Sequence, residues 1–314
     1  MKKILVVGGG AVGQVYGWML RRAGAEIYFY LKPEHKEEAR RGFNLSWLSR
    51  YSKPRPIHFI KFRTITSPEE VASHQWDQIY LTISSVALRA PWLETFAAAA
   101  TKTPIIVSLQ PGIHDAEYLL RYFSESQLVF SMVPFMAFAS PAGNAFYFPP
   151  VAVAPVSGPA SLAKEVVSIL KSGGFPAKYD KLATTKRIAF VNAALIVFVT
   201  ALENSDWSLK KLGQRESLEK LALAIRQISR CIGREFQLPI PWSMRMVSPW
   251  SLKFLTILAP RLVPFDLEAY LKAHFTKVGD QTRLMMEDYI RLGRDLALPT
   301  DCLPPVRPSG KLTG

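Results

Sequence analysis

The chain of 314 residues holds only two cysteines, Cys231 and Cys302. They supply neither a disulfide framework nor a ligand pair, which fits a reducing cytoplasm. Histidine is scarce too: His35, His58, His74, His114 and His274 are dispersed without metal-ligand spacing, so metal catalysis has little support. Cys231 sits inside an apolar helical pattern and reads as structural rather than nucleophilic. Long apolar runs are also lacking. The longest, Ile188 to Leu202, is interrupted by Asn192 and falls short of the ~20 residues that span a bilayer, so it reads as a buried helix and no transmembrane segment is expected. The first apolar run, Ile4 to Val7, is too short for a signal peptide and reads as a strand, which points to a cytoplasmic location. Repeats and low-complexity segments are absent.

Acidic residues are the scarcer charge, 25 against 39 Lys and Arg, for a formal net charge of +14. The basic residues are scattered and form no recognised nucleic-acid module, so a nucleic-acid partner is not expected. Such a field suits anionic small molecules: a phosphate-rich cofactor and an acidic substrate. With 49% apolar and 20% charged residues, the chain can build sizeable cores, and its length suits two domains.

What is present is concentrated at the start. The apolar run leads into Gly8-Gly9-Gly10-Ala11-Val12-Gly13. Gly8 allows a tight bend, Gly10 lets backbone approach a pyrophosphate, and Gly13 lets a helix from Gln14 to Ala23 lie against the strand. The phosphates would sit at that helix's N-terminus, which favours anions. Gly24 ends the helix, and a second strand, Glu26 to Leu31, completes a βαβ unit. A carboxylate about 20 residues past such glycines bonds the ribose of NAD, whereas a cation accommodates the 2′-phosphate of NADP. The position carries Lys32, with His35, Lys36, Arg40 and Arg41 around Glu34, so NADP(H) is the expected cofactor.

Further short apolar segments, Gln78 to Ile83, Pro104 to Leu109 and Leu128 to Val133, repeat the rhythm of a doubly wound sheet. Val151 to Val156, a helix near Ser161 to Lys171, and Phe175 to Tyr179 follow. From Thr184 onward the pattern is helical: Lys186 to Leu202, Ser217 to Gly233, and Asp266 to Leu296 with breaks. The fold class is therefore α/β: a Rossmann-type doubly wound domain over 1–180, then an all-helical domain over 181–314. The Pro-rich tail after Leu303 is expected to be loosely ordered.

The opening VVGGGAVGQVYGWMLRRAGAEIYFYLK, the central SLQPGIHDAE and the late RLGRDLALPT together resemble the 2-dehydropantoate (ketopantoate) reductase family. The resemblance implies an N-terminal Rossmann domain, a helical C-terminal domain, and reduction of a 2-keto acid by NADPH in the cleft between. It also implies cofactor contacts from Gly8, Gly10, Ala11, Val12, Gly13, Lys32, Ser84 and Gln110. The family's acid is a lysine four residues before an asparagine. Asn192 matches that asparagine, but Ile188 stands at the lysine position, and Lys186 and Arg187 lie off its helical face.

Other positions depart as well. The family's Gln-Asn-Gly loop is Gln110-Pro111-Gly112, and a frequent lysine after the fourth strand aligns with Ser84. A Thr-Glu pair whose glutamate binds substrate falls on Asp280-Gln281, and a carboxylate-binding serine on Ala269. Five departures in separate segments argue against ketopantoate as substrate.

Three readings follow. In the first, an NADPH-dependent reductase acts on another carbonyl or imine, with Asn192 kept and His114 or Lys186 as candidate acid; Arg187, Lys272 and His274 are further groups. His114 has the best-matched intrinsic pKa. In the second, the chain binds NADP(H) without turnover, as a sensor or partner subunit. The third concerns Phe236 to Phe265, which has no acidic residue, three cations (Arg245, Lys253, Arg261) and many large apolar side chains. It suits a cap over a lipophilic substrate, a homodimer interface, a membrane surface, or ordinary core.

Overall fold

A computed structural model describes residues 1–49, 51, 53–140, 143–149, 152–180 and 184–307. The chain divides into two compact units, Met1–Thr185 and Lys186–Gly314. Val151, the expected start of one strand, the 180/181 boundary's second residue and the end of the Pro-rich tail lie outside the described residues.

In the first unit, β1 (Lys3–Val7), β6 (Gln78–Leu81) and β7 (Ile106–Ser108) are apolar along nearly their whole length and buried on both faces. Strands of that kind belong in the middle of a parallel sheet covered by helices. Around them stand β2 (Glu26–Tyr30), β5 (Arg63–Ile65), β8 (Leu128–Ser131), β11 (Ala154–Ser157) and β12 (Ala177–Tyr179). The order is β12-β11-β8-β7-β6-β1-β2-β5, and all pairs are parallel except β11 with β8. Most strand segments read from sequence are present and shorter at their ends, whereas β1 begins one residue earlier, at Lys3, and β11 ends one residue later, at Ser157.

A second sheet was not legible beforehand. It comprises β3 (Phe43–Trp47), β4 (Arg55–Phe59), β9 (Met136–Ala139) and β10 (Ala145–Phe148), in the order β4-β3-β10-β9. Helix α1 (Ala11–Arg22) packs against both sheets and fills the space between them with Val15, Tyr16 and Met19. Gly17 is required there, because a Cβ would stand 2.4 Å from the Phe29 ring. Phe29, Phe43, Phe59 and Phe62 form a ring cluster, with Phe43 and Phe62 stacked at 4.7 Å. Burying four such rings stabilises this layer by several kcal/mol, at about 2 kcal/mol each.

Shorter helices connect the strands: α2 (Lys36–Arg40), α3 (Pro68–Ala72), α4 (Ser85–Leu88), α5 (Trp92–Ala99) and α6 (Asp115–Leu119). Helix α7 (Ala160–Ser172) buries Ala163, Val166, Val167 and Leu170 against the β11–β12 edge.

The second unit is helical: α8 (Thr184–Asn204), α9 (Leu209–Leu212), α10 (Arg215–Glu235), α11 (Trp242–Arg245), α12 (Pro249–Leu262), α13 (Leu267–Lys277) and α14 (Gly279–Asp295). The single pattern read over Asp266 to Leu296 breaks at Val278-Gly279. Leu218, Leu221, Ala222, Ile225, Ile228 and Ile232 line one face of α10 at helical spacing and are buried. The loop after α14 is stapled to that helix, since Gln227 Nε2 donates to Asp301 Oδ1 (2.8 Å) and Gln227 Oε1 accepts from Cys302 N (3.1 Å). Helix α8 is longer than the apolar run Ile188 to Leu202 suggests. Residues 186–204 have a mean hydropathy of 1.5 and are long and apolar enough to cross a membrane by length and composition. Within its unit α8 buries Phe190, Ala193, Ile196 and Val197.

Candidate functional site

The carboxyl ends of β7, β6, β1 and β2 are neighbours in that order, and the connections leaving them carry every cofactor residue named from the sequence. This is the edge where open parallel sheets bind ligands. The bend after β1 depends on Gly8, at φ +102°, whose N–H donates to Tyr30 O (3.0 Å). A Cβ on Gly13 would stand 2.1 Å from Gly8 O and 2.7 Å from Thr82 Oγ1, so only glycine lets α1 start this close to the strand. Thr82 fixes the turn, donating its hydroxyl to Val7 O at 2.8 Å.

Gly10 is different. It is the N-cap of α1 in extended conformation, no side chain caps it, and a Cβ there would meet nothing within 4 Å. The helical ladder begins with Gln14 N to Gly10 O (2.9 Å), so the N–H groups of Ala11, Val12 and Gly13 have no helical acceptor. The first turn holds no acidic residue. A pyrophosphate fits such a cradle: open space at Gly10, orphan donors, and the positive end of a 12-residue helix.

Lys32 stands just past β2 with its side chain 77% exposed, 3.8 Å from Glu34 Oε1. His35 lies 3.9 Å from Glu38, and Arg40 pairs with Glu37. The stretch is therefore less positive than its basic residues alone suggest.

Two expected contact residues are engaged in structure. Ser84 caps α4, its hydroxyl accepting from Ala87 N at 3.1 Å. Gln110 is buried, donates through Nε2 to Leu81 O and Ile83 O (both 2.9 Å), and accepts through Oε1 from Ser108 Oγ and Leu109 N. Both amide hydrogens are used, so a cofactor contact from Gln110 falls to its backbone.

His114 precedes α6 with a side chain 36% exposed, 3.7 Å from Glu117. Its neighbour Asp115 points the other way, into the protein. Asp115 is 1% exposed and accepts from Ser85 Oγ (2.6 Å), Arg89 Nη1 (2.6 Å) and Gly112 N (2.7 Å). This cluster, which sequence reasoning passed over, ties the connection after β6 to the one after β7. Its signal was Gly112 followed three residues later by an acid at a helix start.

In the second unit, Asn192 is half-buried on α8. Ile188, one turn earlier and the residue that the resemblance aligns with a lysine, is only 9% exposed. Lys186 is exposed, its Nζ 5.7 Å from the centre of the Phe236 ring, and Arg187 is exposed beside it. Ala269 donates its N–H to Asp266 Oδ1, and Asp280 pairs with Arg283 at 3.2 Å. Lys272 is exposed. His274 lies against the rings of Tyr270 and Phe275. Desolvation, aided by Lys277, pushes its pKa down to about 4, so it is neutral near pH 7 and a poor acid there. Burial raises the Cys231 thiol. Among the described residues no His, Cys, Asp or Glu group could hold a metal.

Residues 4–151 match the family model described as ketopantoate reductase PanE/ApbA. No curated protein matches. Solved structures do, over nearly the whole chain. D-mandelate dehydrogenase with NADH and anilino(oxo)acetate aligns at 15% identity and TM-score 0.68, covering 96% of this chain and 94% of that one. A PanE/ApbA family ketopantoate reductase from Ralstonia eutropha aligns at 18% identity and TM-score 0.65, with 96% and 94% covered. The dimeric ketopantoate reductase from Staphylococcus aureus aligns at 11% identity and TM-score 0.65, with the same coverage. These likenesses establish a shared fold, and over residues 4–151 the chain is similar to the ketopantoate reductase PanE/ApbA family model.

Proposed function

We propose that the chain is an NADP(H)-dependent oxidoreductase that reduces a carbonyl or imine substrate other than ketopantoate. The observation that carries the cofactor half is the glycine turn: Gly13 closed against Gly8 O, and Gly10 left open before an uncapped helix. Lys32, at the end of β2, supports the 2′-phosphate preference. One neighbour in fold is described with NADH, so the choice between the two cofactors is a matter for titration.

A bound reduced nicotinamide supplies hydride to an electrophilic carbon. The protein's task is to orient that carbon, exclude water and deliver a proton to the oxygen or nitrogen that gains charge. His114 suits the proton step, being accessible at the carboxyl edge that carries the glycine turn. Asn192 suits a hydrogen-bond role, and Lys186 is the alternative acid. A small acidic or lipophilic substrate matches the chain's positive charge and apolar second unit.

A second reading, binding of NADP(H) without turnover, is favoured by one observation: Ile188 buries hydrocarbon where the family's acid stands. The two separate by experiment. NADPH fluorescence titration should show saturable binding, and its absence at micromolar concentrations would remove both readings. NADPH oxidation is then followed over 2-keto acids, larger hydrophobic ketones and imines. Turnover that falls in His114→Ala supports the reductase, and silence across the panel supports the non-catalytic protein.

A further inference from the structure

Helix α12 is apolar on both sides. Leu252 and Thr256 point inward and are 5% and 7% exposed, which already seats the helix in its unit. On the opposite side, Trp250, Phe254 and Ile257 recur at helical spacing and are 78%, 55% and 48% exposed. The rings of Trp250 and Phe254 lie nearly parallel with centroids 6.2 Å apart, and Arg261 continues the stripe one turn further. Just before α12, Trp242 and Met246 are 78% and 67% exposed. So much aromatic surface on a monomer marks a contact surface.

Beside the stripe lies a cavity of about 590 Å³ within the second unit, which shares Ile257 and Arg261 with it. Lys210, Lys253 and Arg261 line it, with Phe265 and Pro260 as apolar wall. Lys253 donates one hydrogen to Gly213 O (2.8 Å) and retains two, while Arg261 Nη1 donates to Ile257 O (2.7 Å). The two carboxylates on the wall are turned to backbone amides: Asp266 accepts from Ala269 N and Glu268 from Leu209 N. The cavity therefore offers cationic donors next to an apolar face.

We propose that α12 docks on an anionic phospholipid surface, its Trp250–Phe254–Ile257 stripe entering the interface and Lys210, Lys253 and Arg261 receiving lipid phosphate. Tryptophan favours the headgroup level, and a helix with one apolar face flanked by cations lies in the interface plane. A second copy of the chain fits less well. The segment 236–265 has no carboxylate, so a self-complementary contact there would oppose Arg245, Lys253 and Arg261 to their own copies.

The test uses the full chain with vesicles of phosphatidylcholine alone or containing about one-third phosphatidylglycerol. Co-sedimentation is expected with the anionic vesicles only, lost at high salt, with a blue shift of tryptophan emission. Trp250→Ala with Phe254→Ala should weaken partition by about tenfold or more, since two interfacial rings are removed. Lys210→Ala with Arg261→Ala should weaken it about thirtyfold, at roughly fivefold per cation. These side chains are exposed, and an unchanged circular dichroism melt confirms intact folding. The proposal is overturned if wild-type protein ignores anionic vesicles, or if the aromatic variant binds them equally. It is likewise overturned if the aromatic face proves to be a dimer contact by sedimentation velocity, or if inorganic phosphate alone fills the cavity and abolishes no vesicle binding.

Discussion

Replacing Gly10 by aspartate should strengthen the fold and destroy the cofactor site at once. Gly10 is the N-cap of α1 in extended conformation, with no cap hydrogen bond and no atom within 4 Å of an added Cβ. Aspartate there can accept from the first-turn N–H groups. It is better than glycine as a cap by a few tenths of a kcal/mol and gains about 0.3–1 kcal/mol from the helix dipole. The net, about 1 kcal/mol, raises the melting temperature of the first unit by about 2 °C. The same carboxylate would occupy the pyrophosphate's place. At about 4 Å and an effective dielectric near 20, one such repulsion costs about 4 kcal/mol, or roughly a thousandfold in Kd. Differential scanning fluorimetry without cofactor reads the first effect, and NADPH fluorescence titration the second. Near-wild-type NADPH affinity in Gly10→Asp would show that the phosphates do not pass Gly10. A lowered melting temperature would show that α1 does not begin there.

Gly13→Ala has the opposite profile: its Cβ would stand 2.1 Å from Gly8 O, so unfolding in urea should show a loss of about 3 kcal/mol or more. Lys32→Asp should weaken NADPH about tenfold more than NADH, and equal weakening would remove Lys32 from 2′-phosphate recognition. Asp115→Asn leaves Arg89 with a neutral partner in a site where Asp115 is 1% exposed, costing about 3 kcal/mol in denaturant titration. His274 contributes to acid sensitivity. Its folded pKa of about 4 lies below its unfolded value, so the unfolded chain takes the proton first; stability present above about pH 6.5 is lost as pH falls toward 4, by at most about 3 kcal/mol. His274→Phe should flatten that slope in urea midpoints taken across this range.

What the sequence disclosed depended on whether a feature is local. The turn at Gly8, the buried strands β1 and β6 and the long helix α10 are each written in one stretch of residues, in a period or a glycine spacing. The small sheet is not. Its parallel pairing joins Leu45 to Ala145, and β4 reads RPIHF, with a proline and little alternation. No local window contains that partnership. Asp115 escaped for a related reason, since its value lies in Arg89 and Ser85, 26 and 30 residues away. Helix α12 was visible only as part of the basic, apolar segment Phe236 to Phe265, and with apolar residues on both sides nothing local says which stripe is covered.

The same distinction explains why the two kinds of candidate site residue differ. A phosphate cradle is made of backbone, so the glycines that shape it have no other duty and their geometry survives around them: Gly10 is open and α1 uncapped. Side-chain chemistry competes with packing. Ser84 spends its hydroxyl on a helix cap, Gln110 both amide hydrogens on carbonyls, and Ile188 fills core. Restoring chemistry at position 188 therefore demands more than a charge. Ile188→Lys would place an ammonium where the side chain is 9% exposed, and desolvation there costs several kcal/mol unless a partner such as Asn192 or a water path meets it. Loss of folded protein in that variant, with NADPH binding intact in Ile188→Met, would show that the helical unit is packed around an apolar side chain at this position.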